Sequence, residues 1–523
     1  MSCKKVSKSL PIEVKRGKPF FLLLFVFIFC HIATAQQKHS ATKPLATASA
    51  TGKPMNVLFI AIDDLRPELS VYGARHAITP NMDKLATTGA LFNKAYCQYP
   101  VCAPSRASLM TGTRPNSTKV FGLYTDFRVA LPNIRSLPQL FKDNGFFTNR
   151  FGKIFHVDDV QSWSVEYPPE QFGPAAVVPR APYANSALNE AGWKKFEEGK
   201  KAGLIGSALE RTQRGPAYEI TDLPDDSLID GKTAWESIRA LQQLKLAEKP
   251  FFLAVGFHKP HLPFVAPKKY WDLYEQENIQ VAQNKTPPAN APYALGPMEE
   301  FYTYTDVPQL RPVPDDYARK MRHGYYACVS FVDAQVGRLL HELERLGLAD
   351  NTIVVLWGDH GFKLGEHGGW AKASNFELDA RVPLILRVPG FPKTVEVNGL
   401  VELIDIYPTI AELAGIPIPS HVEGKSFVPL LKKSTTKGKP SAYTQCVRGS
   451  RTGYSMRTDR YRLVCWVKEG EKDVLELYDH QNDPEENRNL ADKPGNLKIQ
   501  AKLLKQLKKD INVVTIRQER TDS

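Results

Sequence analysis

Val57-Leu58-Phe59-Ile60-Ala61-Ile62-Asp63-Asp64 sets six apolar residues in a row and stops on two carboxylates. An unbroken apolar run of this length, bounded by polar residues, reads as a strand buried on both faces. Two later stretches repeat the pattern. Phe251-Phe252-Leu253-Ala254-Val255-Gly256-Phe257 runs into His258 and His261, and Thr352-Ile353-Val354-Val355-Leu356-Trp357 runs into Gly358-Asp359-His360. Helical spacing lies between them: Ala234, Ile238 and Leu241 within residues 232–247, then Val332, Val336, Leu339, Leu340 and Leu343 up to Gly347. Alternating helices and fully apolar strands predict an α/β fold, a mainly parallel sheet sandwiched by helices. Ligands of such sheets sit beyond the carboxyl ends of the strands, where all three runs discharge polar residues. One active site is expected there.

Cys102-Ala103-Pro104-Ser105-Arg106-Ala107-Ser108-Leu109-Met110-Thr111-Gly112-Thr113-Arg114-Pro115 adds a nucleophile. The ring of Pro104 pre-sets φ for a first helical turn, where a missing N–H costs nothing. Arg106 follows Cys102 by four residues and so lies one turn along the same face. Gly112 and Pro115 are expected to close a helix of about two turns. A nucleophile at a helix N-terminus beside a cation suits an anion.

Asp63-Asp64 and Asp359-His360 sit at matching strand ends. Burying adjacent carboxylates costs several kcal/mol unless a cation compensates. Three converging carboxylates make a hard-oxygen site of the kind calcium or magnesium prefers. His360 is the odd member, because imidazole is a poor calcium ligand; orienting a carboxylate or residue 102 is its other role.

The fourteen-residue run from Cys102 resembles the signature of the formylglycine-dependent sulfatase family. Asp63-Asp64-Leu65-Arg66-Pro67, Phe151-Gly152-Lys153-Ile154-Phe155-His156, His258-Lys259-Pro260-His261-Leu262-Pro263-Phe264 and Asp359-His360-Gly361-Phe362-Lys363-Leu364-Gly365-Glu366-His367-Gly368-Gly369-Trp370-Ala371-Lys372 are similar, in order, to segments of the iduronate-2-sulfatase group and its bacterial members. Leu477-Tyr478-Asp479 with Asp483-Pro484 resembles a closing signature of many sulfatases.

The resemblance implies an alkaline-phosphatase-like fold and oxidation of Cys102 to formylglycine, whose hydrated aldehyde is the nucleophile. It implies one calcium ion held by Asp63, Asp64, Asp359, His360 and modified Cys102. Arg106, Lys153, His156, His261 and Lys372 would line the sulfate, with His261 or Lys372 as acid for the leaving oxygen and His156 as base. His258 would contact sugar or a neighbouring side chain. Phe362 stands where relatives often carry tryptophan and Lys363 follows it, so Lys363, with Arg128 and Arg135, is expected to meet a carboxylate or second sulfate. His367 reads as structural and Trp370 as pocket wall or core. The implied partners are a sulfated glycan, with 2-O-sulfated uronic acid foremost, and a formylglycine-generating maturation enzyme. Another sulfated polysaccharide, or a phosphoester or phosphonate, are the alternative substrates.

The 523 residues leave room for more than one domain. Lys4, Lys5, Lys8, Lys15, Arg16 and Lys18, then the apolar run Phe20 to Cys30 and Ala33-Thr34-Ala35, read as a cleavable export signal over 1–35. A secreted or periplasmic protein with no membrane span after cleavage is expected. A polar leader follows over 36–54, then a catalytic domain over 55–432 and a smaller α+β subdomain over 440–515, with a basic helix near 496–509. The formal charge of +12 includes six basic residues of the signal, so the mature excess is moderate. That balance suits an acidic polymer, and with no basic cluster interleaved with aromatics nucleic acid is not expected. The mature chain keeps Cys97, Cys102, Cys328, Cys446 and Cys465, an odd number that leaves at least one thiol unpaired or modified. Cys446 with Cys465, or Cys97 with Cys102, remain open as pairs. Residues 161–225 and 270–315, rich in Pro, Gly, Asn and Tyr, read as surface excursions that could wall a pocket.

Overall fold

Every residue of Asn56–Ile62 (β1) is buried in the computed structural model, as its unbroken apolar character requires. The structure describes residues 54–165, 181–296, 299–433 and 437–516, all within one compact unit that begins at Leu45. The export signal expected over 1–35 lies outside these residues, as does most of the leader. Six further strands join β1 in one sheet: Ala90–Phe92 (β2), Phe147–Gly152 (β3), Phe251–Phe257 (β4), Thr352–Gly358 (β5), Leu384–Arg387 (β6) and Val395–Val397 (β7). Their spatial order is β7-β2-β6-β5-β1-β4-β3. The run β5-β1-β4-β3 is parallel throughout, while β6 is antiparallel to both neighbours.

Side-chain alternation along β1 divides the core. Leu58, Ile60 and Ile62 pack with Met82 and Leu85 of helix Pro80–Thr87, Leu241 and Leu244 of Ile229–Ala247, and Tyr325 and Val329 of Asp315–Arg345. Val57, Phe59 and Ala61 pack with Ala107 and Met110 of Cys102–Thr111, Leu140 and Phe141 of Leu137–Asp143, and Ile410 of Ile406–Leu413. Phe59 is fully buried. Its truncation to alanine would cost ~3–5 kcal/mol in transfer and cavity terms.

The C-terminal residues form an antiparallel meander of Ala442–Arg448 (β8), Arg451–Arg457 (β9), Tyr461–Val467 (β10) and Val474–Asp479 (β11), backed by helix Leu497–Asp510. It has its own small core, in which Tyr454, Met456, Leu463 and Leu477 meet Leu503 and Leu507.

Three expectations need adjustment. The stretch 161–225, read as a surface excursion, carries helices Ser186–Lys201 and Gly206–Arg211; the Asn185 side chain caps the first by accepting from the Ala187 N–H. The helix opened by Cys102 runs for ten residues, nearly three turns, before Gly112 closes it with φ +68°. All five cysteines of the described residues are free and buried, so neither pairing left open is formed.

Candidate active site

Parallel register brings the four segments to one edge. Ile62 lies opposite both Phe257 and Gly358, and Gly152 lies opposite Gly256. Asp63, His258, Asp359 and Lys153 therefore leave the sheet side by side. Asp64 takes φ +57°, a left-handed conformation that an aspartate tolerates better than most residues. The Tyr325 hydroxyl donates to the Asp64 carbonyl (2.9 Å), and the Asp64 N–H donates to Asp359 Oδ1 (3.1 Å). These bonds hold the turn that aims the Asp64 carboxylate.

Cys102 stands at the first turn of its helix, with Sγ 3.2 Å from His360 Nε2. His360 Nδ1 lies 2.9 Å from the Gly361 carbonyl. A carbonyl only accepts, so Nδ1 carries a proton there, and the bond turns Nε2 toward the site. His261 is fixed in the same sense, its Nδ1 donating to the Leu262 carbonyl at 2.7 Å. Lys153 Nζ donates to Asp63 Oδ2 (2.6 Å), and Lys372 Nζ reaches both oxygens of Asp64 (3.0 and 2.9 Å).

Burial and charge oppose each other here. Burial alone would raise Asp63, but Lys153 and Arg106 outweigh it and hold its carboxyl well below the usual range. Burial raises Asp359 in spite of Arg106. Burial, reinforced by Asp63, also pushes the Cys102 thiol well up, so the encoded cysteine is not a thiolate. Burial and then Lys153 push His156 well down, and burial and then Lys372 lower His261. Lys372 moves the other way, because Asp64 and Glu300 overcome the effect of burial.

A cavity of about 350 Å³ opens above these groups. Asp63, Cys102, Lys153, His156, His258, His261 and Lys372 line it. His156 Nδ1 and His258 Nδ1 are buried there without a hydrogen-bond partner. The two excursions do wall the pocket: Tyr183, Glu210, Arg211 and Arg214 come from the first, Glu300 and Tyr304 from the second. Glu300 went unread in the sequence, although its carboxylate lies 3.3 Å from Lys372 Nζ and 3.5 Å from His261 Nε2. Glu300 stands in the four-residue helix Glu299–Tyr302, which is too short to set a periodic signal.

Three expected contacts are placed elsewhere. Arg106 is completely buried behind the carboxylates and does not line the cavity. It donates to Asp359 Oδ2 (2.8 Å), Asp63 Oδ1 (3.2 Å) and the carbonyls of Lys153 (2.5 Å) and Ile154 (3.0 Å). Its fork thus sets the carboxylates in place. Lys363 turns inward and is consumed by Asp379 and Ser374. Arg128 grips Asp159 bidentately (3.0 and 2.7 Å). Burial of those acids demands a cation, which is why neither reaches the pocket. Arg135 pairs with Asp143, His367 is buried against Phe376, and Trp370 stacks on Phe301 in the core.

The donor set fits a divalent cation. Asp63, Cys102, Asp359 and His360 each offer an atom within 4.8 Å of the others, as do Asp63, Asp64, Cys102 and His261. The carboxylates of Asp63, Asp64 and Asp359 supply hard oxygens, which suit an ion of the calcium or magnesium type. The position of residue 102 also fits an aldehyde, being at a helix N-terminus beside two ammonium groups.

Fold, nucleophile and fixed cations define a class: hydrolases of charged esters on an alkaline-phosphatase-like scaffold. Solved structures of that fold include one in complex with its substrate D-glucosamine-2-N,6-O-disulfate (TM-score 0.66, 21% identity, 87% of this chain and 97% of that one). Another is the phosphonate monoester hydrolase of Silicibacter pomeroyi (TM-score 0.67, 21% identity, 87% and 94%). The sulfatase family model matches residues 55–416, and the model described as N-sulphoglucosamine sulphohydrolase, C-terminal, matches 365–512. Iduronate 2-sulfatase of Mus musculus is 34% identical over 92% of this chain and 96% of its own. The chain belongs to the sulfatase family, and it is a sulfuric ester hydrolase.

Proposed function

We propose that the protein is an exported, calcium-dependent sulfatase that removes 2-O-sulfate from uronic acid residues of glycosaminoglycan fragments. The observation that carries the reaction is the meeting of residue 102, two aspartate-bearing strand ends and the ammonium groups of Lys153 and Lys372 around one cavity. Similarity along nearly the whole chain to iduronate 2-sulfatase supports the sugar. The basic and apolar N-terminal residues support export.

A sulfate monoester spreads one negative charge over three oxygens, so its cleavage is a problem of position and charge. Lys153 and Lys372 supply the positive field, and Arg106 keeps Asp63 and Asp359 aligned. Asp63, Asp64, Asp359, His360 and residue 102 would hold the calcium ion. With the ion and formylglycine in place, the site gains an aldehyde hydrate acidic enough to be a nucleophile at neutral pH. Lys372 Nζ, kept protonated by Asp64 and Glu300, faces the cavity and is positioned to give a proton to the departing sugar oxygen. His261, lowered by burial and carrying its proton on Nδ1, instead offers an acceptor at Nε2. His156 Nδ1, unpartnered and kept neutral by burial and Lys153, is a second acceptor. Cys102 is 2% exposed, so its maturation enzyme must act before this helix packs.

Mass spectrometry of the Cys102 peptide is the first test: conversion of thiol to aldehyde removes ~18 Da. Fully active protein with an unmodified cysteine would refute the mechanism. A panel of sulfated disaccharides, scored by sulfate position and uronic acid type, tests the sugar. Turnover only on hexosamine or algal sulfates would replace it. The shared fold with a phosphonate monoester hydrolase keeps phosphoesters as the second reading; aryl phosphate turnover above aryl sulfate turnover would favour it. N-terminal sequencing of the mature protein should begin at Gln36.

A further inference from the structure

We propose that Arg448 is a positioning residue for Lys372, and that the C-terminal sheet serves the reaction by clamping the loop that carries this ammonium. The proposal rests on the sulfatase reading above, in which Lys372 faces the substrate anion.

Lys372 belongs to no helix or strand. Its backbone must be fixed by neighbours, or its long side chain would sample many positions. Ala373, the next residue, takes φ +72°, a left-handed conformation unfavourable to a residue with a Cβ. Two hydrogen bonds hold it there. The Ala373 N–H donates to the Pro100 carbonyl (3.0 Å), two residues before the nucleophile. The Ala373 carbonyl accepts from Arg448 Nη2, at the end of β8. Arg448 is itself packed: its guanidinium lies 5.9 Å from the Trp466 ring centroid and against Gly296, where a Cβ would come within 2.9 Å of it.

The following residues are tied to the same sheet. Asn375 Nδ2 donates to the Gly453 carbonyl in β9 (3.2 Å). The Glu377 carboxylate is bound by Arg457 of β9 and Arg462 of β10, and its N–H donates to Glu486 (2.7 Å). Glu377, His480 and Glu486 converge closely enough for a metal, but Arg462, fully buried, binds both Glu377 and Glu486 and already supplies their cation. That network is the base of the clamp. From the catalytic side, Ser374 is held by Asp379 and Lys363. The loop is thus bolted on both sides, and only Lys372 projects from it to Asp64 and Glu300.

The experiment compares Arg448→Met, Arg448→Lys and Asn375→Ala with Lys372→Ala, in full-length matured protein. kcat and KM are measured on a sugar sulfate and on an aryl sulfate, whose better leaving group needs less help from an acid. Lys372→Ala defines the signature of losing the ammonium: its split between kcat and KM, and between the two substrates. Arg448→Met should reproduce that signature at reduced amplitude, a loss of roughly tenfold on the more sensitive substrate. Arg448→Lys should recover part of it. Should Arg448→Met fail to fold, Asn375→Ala carries the same expectation. A uniform fall in kcat on both substrates with KM unchanged, the mark of a smaller folded fraction, would overturn the clamp. So would unchanged kinetics. If Lys372→Ala itself leaves both substrates unaffected, the catalytic reading of Lys372 fails and the proposal with it.

Discussion

Replacing Arg106 by methionine should be the most damaging single change at the site, and the damage should depend on pH and calcium. The guanidinium is fully buried, between Asp63 and Asp359, with two backbone carbonyls on its remaining donors. Methionine keeps the apolar stem and none of the charge. Removing one partner of a buried ion pair typically costs ~3–5 kcal/mol, and the freed carbonyls push toward the upper end. Domains are stable by only ~5–15 kcal/mol, so a large fraction is at stake.

The sign of the pH dependence follows from the carboxylates. Asp63 is depressed in the native protein by Lys153 and Arg106 against the effect of burial. Its contribution is present above the unfolded carboxyl pKa and lost as pH falls through the lower folded value. Asp359 is raised by burial, so its charge is a growing cost above its unfolded pKa. Without Arg106 both shift upward, and at pH 7 both are buried with less compensation. Acidification toward about pH 4–5, the upper carboxylate range, protonates them and relieves the cost. Urea denaturation should therefore give a wild-type minus variant difference that is largest at pH 7 and shrinks toward pH 5. Calcium added at pH 7 should shrink it as well, because the ion compensates the same oxygens. A difference below ~1 kcal/mol, or one flat in both pH and calcium, would show that the fork does not organise these carboxylates.

Lys363→Met should destabilise the protein by ~3–5 kcal/mol through unpaired Asp379. A raised KM with unchanged stability, read by thermal melting beside kinetics, would restore Lys363 to the pocket; Arg128→Ala, which strips Asp159, should behave in the same way. Glu300→Gln removes the charge shared by Lys372 and His261, and should lower kcat/KM on a sugar sulfate by roughly tenfold with little change in melting temperature. Chelation should abolish turnover, and returning calcium at a hundredfold excess over its Kd should restore it with ~2.7 kcal/mol of added stability. Activity indifferent to chelator would exclude a loosely held ion.

Strands β1, β4 and β5 were legible because burial on both faces leaves an unbroken apolar signature that no exposed element shares. β3 was not, since Thr148, Asn149 and Arg150 interrupt it and it lies at the sheet edge, where polar groups find partners. The helix Ser186–Lys201 escaped for a related reason: its face is mostly solvated, with only Gly192, Phe196 and Gly199 buried, too few to set a period. Lysines and arginines divided in the same manner. Lys153 and Lys372 were placed by motif and do line the cavity, whereas Arg106, Lys363 and Arg128 carry similar chemistry but were turned toward buried acids.

Sequence alone determined which residue types would gather beyond the sheet, because strand polarity and apolar length are local properties written into consecutive positions. Tertiary structure decided which cation serves which anion: that choice depends on which acids are stripped of water, and desolvation belongs to the packed chain. It also decided that Glu300 and Arg448, far from any motif, would stand beside and behind Lys372.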